Sequence, residues 1–149
     1  MAISRGSGTE IVRSAWFEDV DATDTVLLYG EKHHIYTVLS IIVYAQAIQA
    51  TGNIFEMSLT GYDSKGGTTA QGIVIFQQVI ALNETFVFND SFSFNGHEPT
   101  NFTGPMDDAT KQNAIADQGS SVAQKLQVAT SNAADSFDVG ITFIDRNNV

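Results

Sequence analysis

Cysteine is absent from this 149-residue chain. That removes a disulfide framework, a thiolate metal site and thiol catalysis together. Basic residues are few, 7 Lys and Arg against 17 Asp and Glu, for a formal charge of −10. The seven are scattered and form no stripe, and a surface of this sign repels phosphate backbones, so neither a nucleic-acid nor a membrane partner is expected. Charge of either sign is sparse, 16% of residues against a typical ~25%. Asn, Gln, Ser and Thr cover the surface instead, a texture common in proteins that assemble with other proteins. No apolar stretch is long enough to cross a bilayer as a helix; the densest, Val38 to Ala45, is interrupted by Ser40. Residues Met1 to Gly8 contain no apolar core of an export signal, so no signal peptide is expected. Neither a fixed-period repeat nor an internal linker is visible.

What is present is β-type alternation. Phe86, Phe88, Phe92 and Phe94 fall on even positions, and Phe137, Val139, Ile141 and Phe143 on odd ones. Side chains two apart share one face of a strand, so each set buries one face and shows the other to water. Strands are expected over Ile11 to Phe17, Thr25 to Tyr29, His33 to Gln46, Ile54 to Tyr62, Ile73 to Leu82, and Glu84 to Phe94 folded as a hairpin at Asn89-Asp90. The run from His33 is apolar almost throughout, which suggests cover on both faces, and Ile73 to Leu82 also reads as buried. Asp107 or Asp108 could cap a short helix reaching Gln118. A strand over Ala123 to Thr130 would pair with Ser136 to Asp145 across the intervening loop. A chain of this size can bury roughly 68–70% of its unfolded surface without staples. The expected fold is therefore all-β: one antiparallel β-sandwich of jelly-roll type over residues 11–149, about eight strands and one short helix, preceded by a flexible arm over residues 1–10.

No constellation amounts to an active site. Asp19, Asp21 and Asp24 share a loop, but the calcium-loop spacing, its central Gly and its terminal Glu are missing, and a solvated acidic turn results. His33 and His34 are adjacent, so on a strand they point to opposite faces and would not share a metal; His97 and Glu98 lie far away in sequence. One histidine is expected to pack in the sheet and the other to meet solvent. Lys65-Gly66-Gly67-Thr68-Thr69 lacks the order of a phosphate loop, and no G-x-S-x-G elbow occurs. Asn83, Asn89 and Asn101 begin matches to the N-glycosylation pattern, as an Asn- and Thr-rich composition produces by chance. No catalytic residue, cofactor or metal is expected.

Several segments resemble a small virion structural protein of tailed bacteriophages, especially those of marine cyanobacteria: Met1 to Glu10, His33 to Ser40, Phe86 to Asp90, Gly104 to Thr110 and Phe137 to Asp145. The resemblance is one of overall texture and carries no catalytic signature. It implies a non-enzymatic capsid decoration (cement) protein on the virion surface, made in the host cytoplasm, β-rich and commonly trimeric, with the major capsid protein or neighbouring virion subunits as partner. Such a protein would bind an assembled shell in preference to its free parts and so stabilise it. Ile3, Arg5, Ile11 and Arg13, in or beside the arm, are the expected contacts. A tail, neck or adaptor ring subunit and a carbohydrate-binding sandwich for host adsorption are the alternatives.

Overall fold

A computed structural model of the chain describes residues 10–63, 68–97 and 122–147. Nine strands occur in this order: β1 Glu10–Val20, β2 Thr25–Tyr29, β3 His34–Ala47, β4 Ile54–Asp63, β5 Thr68–Val79, β6 Thr85–Phe88, β7 Phe92–Asn95, β8 Lys125–Thr130 and β9 Ser136–Asn147. They form two antiparallel sheets. The first runs β1-β9-β3-β6, with β7 also bonded to β3; the second runs β2-β8-β4-β5. Counting β6 and β7 as one interrupted strand gives two four-stranded sheets whose strand order is that of a jelly roll.

The core lies between the sheets. Val38, Ile41, Val43, Phe137, Val139 and Ile141 from the first sheet meet Phe55, Met57, Leu126 and Val128 from the second. The even phenylalanines turn inward as expected: Phe76 of β5 stacks between Phe86 and Phe88, with centroids at 5.2 and 4.9 Å. Offset aromatic contacts of this kind add about 0.5–1.5 kcal/mol each beyond the area they bury.

Four expectations are corrected. β3 is not covered on both faces, since Ile42 is exposed. It reads as continuously apolar because its register with β9 shifts between Val38 and Ser40. That bulge moves the inward set from even positions (Tyr36, Val38) to odd ones (Ile41, Val43, Ala45). Nor do β6 and β7 form a hairpin: β6 pairs with Ile41–Tyr44 and β7 with Ile35–Val38, end to end along one edge of β3. β8 does not pair with β9; its neighbours are β2 and β4, while β9 lies between β1 and β3. The loop between them crosses from one sheet to the other, held by buried Asp135, whose Oδ1 accepts from the Gln49 N–H at 2.7 Å and the Asn53 amide at 3.0 Å. Alternation is the same in a hairpin and in such an arch, so the pattern could not separate them. Finally, β5 is an edge strand with Ile73, Val74 and Val79 exposed. The expected helix near 107–118 and residues 1–9 of the expected arm lie outside the described residues, while Glu10, given to the arm, begins β1.

One end of the sandwich is closed by backbone. The Gly30 N–H donates to the Gln124 carbonyl and the Gln124 N–H to the Gly96 carbonyl, both at 2.8 Å. A Cβ on Gly30 would sit 1.8 Å from the Gly96 oxygen, and one on Gly96 would sit 2.1 Å from the Glu31 oxygen. Glycine is therefore required at both positions by close approach, and the contact joins the two sheets.

Candidate functional site

The outer face of the first sheet is where the molecule departs from an ordinary solvated surface. β1 continues past Phe17 to Val20, and its side chains alternate: Ala15 and Phe17 pack on the core, while Val12, Ser14 and Trp16 point outward. Trp16, the only tryptophan, is 69% exposed. Its register partner across β9 is Gly140, and a Cβ there would lie 2.1 Å from the indole ring. The ring therefore leans over β9 into the space a side chain would fill. Gly140 also pairs with Ile42, and Ile42 with Val87. Trp16, Gly140, Ile42 and Val87 thus form one apolar row across all four strands, with Ile42 39% and Val87 51% exposed. Between Trp16, Ile42 and Tyr44 lies a shallow depression of about 290 Å³, rimmed by Glu18 and Asp138. Elsewhere the face carries hydroxyl pairs, Ser14 with Thr142 at 3.0 Å and Thr37 with Ser93 at 2.9 Å, together with exposed Val12 and the Glu10–Arg146 ion pair. Large exposed apolar side chains rimmed by polar and charged groups are the usual composition of a protein-binding patch.

The charged groups near this face are engaged in local structure. Asp19, at φ 56°, accepts from the Ser136 hydroxyl at 3.2 Å. With its amide turned so that nitrogen faces the carboxylates, Gln46 donates to both Asp19 and Asp138 at 3.2 Å. Asp21 accepts from the Thr23 N–H at 2.8 Å, an Asx turn. The acidic loop is thus a capped turn. Among the described residues no group of three or more His, Cys, Asp or Glu is placed to hold a metal ion.

A second polar cluster sits beside the backbone closure. Buried Asp145 of β9 binds the His34 Nδ1 at 2.5 Å and the Arg13 Nε at 3.5 Å. The His34 Nε2 faces Glu31 at 3.4 Å, and the His34 ring stacks on Tyr36. Tyr36 is almost fully buried against Phe94 and Phe143, and its hydroxyl accepts from the Glu31 N–H at 3.0 Å. Burial pushes its phenol pKa up to about 12, against the opposing pull of that backbone bond. These groups neutralise a buried carboxylate and fasten β3 to β9.

Of the expected contact residues, Ile3 and Arg5 lie outside the described residues. Ile11 and Arg13 lie on β1, both partly exposed, and Arg13 reaches back to Asp145. Of the adjacent histidines, His33 is in the turn before β3 at φ 64° and His34 is inside the cluster. Glu98 falls outside the described residues. Trp16 was the informative residue that sequence reasoning passed over. Trp16 and Phe17 are neighbours in a strand, so one of them had to face outward, and Gly140 interrupts an otherwise regular strand.

No family model and no curated protein sequence matches this chain. Among solved structures it is similar in fold to a subunit of the disulfide-linked pili of Bacillus endospore appendages, at 14% identity and TM-score 0.44, covering 100% of this chain and 97% of that one. It is also similar to a chain of the infectious bursal disease virus particle, at 11% identity and TM-score 0.42, covering 99% of this chain but 37% of that one. A third is a chain of empty cowpea mosaic virus particles, at 12% identity and TM-score 0.38, covering 95% of this chain and 87% of that one. All three come from pili or virus particles, and at TM-scores below 0.5 no argument about this chain rests on the likeness.

Proposed function

We propose that this chain is a non-enzymatic structural subunit of a virus particle, and more finely a capsid decoration (cement) protein of a tailed bacteriophage. It would bind the assembled capsid shell as a homo-oligomer, trimeric in the form the sequence resemblance implies. The observation that supports this reading is the apolar row Trp16–Gly140–Ile42–Val87, laid across the outer face of one sheet of a jelly roll. An exposed tryptophan seated on a glycine offers a large rigid contact at low entropic cost, the character of an interface anchor. Seating that row against the shell would remove it from water, and a surface spanning several shell subunits would favour the assembled particle over its parts.

The deciding experiment is cryo-electron microscopy of the intact particle. Density for this chain on the outer shell at threefold or quasi-threefold positions is the expected result. Density in an axial ring would move the protein to the neck or tail, and its absence from the particle would overturn the virion reading.

A further inference from the structure

We propose that the depression beside Trp16 receives an arginine side chain presented by a partner polypeptide. The inference rests on the reading of this outer face as an interface; what it adds is the chemistry of the group that seats there.

The depression lies between two rows of the first sheet. One is the apolar row of Trp16, Gly140 and Ile42. Two residues along each strand, the outward positions are Glu18 of β1, Asp138 of β9 and Tyr44 of β3, with Asp138 and Tyr44 in register. The bulge after Phe17 is what leaves Glu18 on this side, exposed at the rim. An apolar wall thus faces an acidic one.

The two carboxylates differ in mobility. Asp138 accepts from the Asp19 N–H at 3.4 Å and is held in place. Glu18 makes no hydrogen bond or ion pair among the described residues. The two arginines of this sheet are engaged elsewhere, Arg13 with Asp145 and Arg146 with Glu10, towards the other end of β9. The charge complement of this rim therefore has to come from a partner.

Arginine matches the depression part by part. Its methylene stem covers apolar surface such as Ile42. Its planar guanidinium stacks on an indole and donates in a fork to carboxylates, where lysine offers a point charge. A sugar fits less well, because it needs placed hydrogen-bond partners. Apart from the carboxylates the lining is apolar, and the Tyr44 hydroxyl already donates to Asn83 at 3.0 Å.

Nuclear magnetic resonance titration of the full chain tests this. The probe is the blocked peptide Ala-Arg-Ala, taken to about 0.1 M at constant ionic strength to reach weak contacts. Saturable shifts of the Trp16 indole N–H and the Gly140 amide are expected, and none with the citrulline analogue, which keeps the shape and loses the charge. Followed at Gly140, Glu18→Gln and Trp16→Leu should each weaken binding about threefold or more. Glu56→Gln, which removes the same charge from β4 in the other sheet, should leave it unchanged. No saturable shift with Ala-Arg-Ala, equal shifts with the citrulline peptide, or binding that ignores Glu18→Gln would overturn the proposal. So would saturation of the same signals by cellobiose in place of the peptide, which would mark a sugar site. Co-sedimentation with capsid shells separates the two readings: peptide binding without shell attachment sinks the shell as partner and leaves the arginine seat standing, and attachment without peptide binding does the reverse.

Discussion

Gly30 and Gly140 both occupy places where a Cβ would collide, but they collide with different things. At Gly30 the obstacle is the backbone oxygen of Gly96, at 1.8 Å, in the closure that joins the two sheets. At Gly140 it is the ring of Trp16, at 2.1 Å, on an open face. A backbone oxygen held by hydrogen bonds cannot move aside, whereas an exposed indole can swing into water. The first glycine serves the fold. The second makes room for a side chain that is largely exposed, and the proposed interface rests on that face.

The contrast can be broken most severely at the closure. Gly30→Ala should cost about 4 kcal/mol or more, the scale reserved for strain that nothing relieves, and thermal unfolding followed by circular dichroism would show it. A Gly30→Ala protein with a near-native melting temperature would mean that the closure is looser than described. Next comes Tyr36, which belongs to the same end through Glu31. Its phenol ionises near 12 in the fold against an ordinary 10.0. The folded state thus favours the neutral form, so this stabilisation is complete below pH 10 and is lost as pH rises through 12. A rise from 10.0 to about 12 corresponds to about 3 kcal/mol. Urea titrations at pH 9 and pH 12 should show this loss in wild type and a smaller one in Tyr36→Phe.

On the open face the expected costs are smaller and the readout changes. Gly140→Ala should alter stability by about 1 kcal/mol, because the ring can leave, and should shift the emission of the single tryptophan to the red. Unchanged emission would show that the ring does not depend on the glycine. Smallest of all, Trp16→Ala should change stability by less than about 1 kcal/mol while abolishing attachment to capsid shells in a co-sedimentation assay. Attachment that persists would remove the outer row from the proposed interface.

How much of this was legible in the sequence depends on the range of the cause. The even phenylalanines and the odd set in β9 face inward as alternation dictates, and β2 has the bounds its residues suggest. Those signals are local, because a side chain's face is fixed by the parity of its position. Parity fails where a bulge intervenes. Leu39 has no register partner in β9 and the inward positions of β3 change parity across it, so an apolar run that suggested two covered faces belongs to a strand with one core face and one open face. The polar cluster was no more legible, since Arg13, His34 and Asp145 are far apart in sequence and meet only because β1 and β3 both flank β9.

By itself, then, the sequence determined that the chain is a β-sandwich without thiol chemistry and that the even phenylalanines and the odd set of β9 each share one face, because composition and side-chain parity are properties of the local chain. Tertiary structure decided which strands adjoin: that β8 and β9 lie in opposite sheets, that β6 and β7 continue one edge, and that β5 is an edge strand among the described residues. Those choices rest on long-range backbone pairing, for which hairpin and arch present the same alternation. They also decided that Trp16 lies across Gly140, 124 positions away, where no reading of either segment alone could place it.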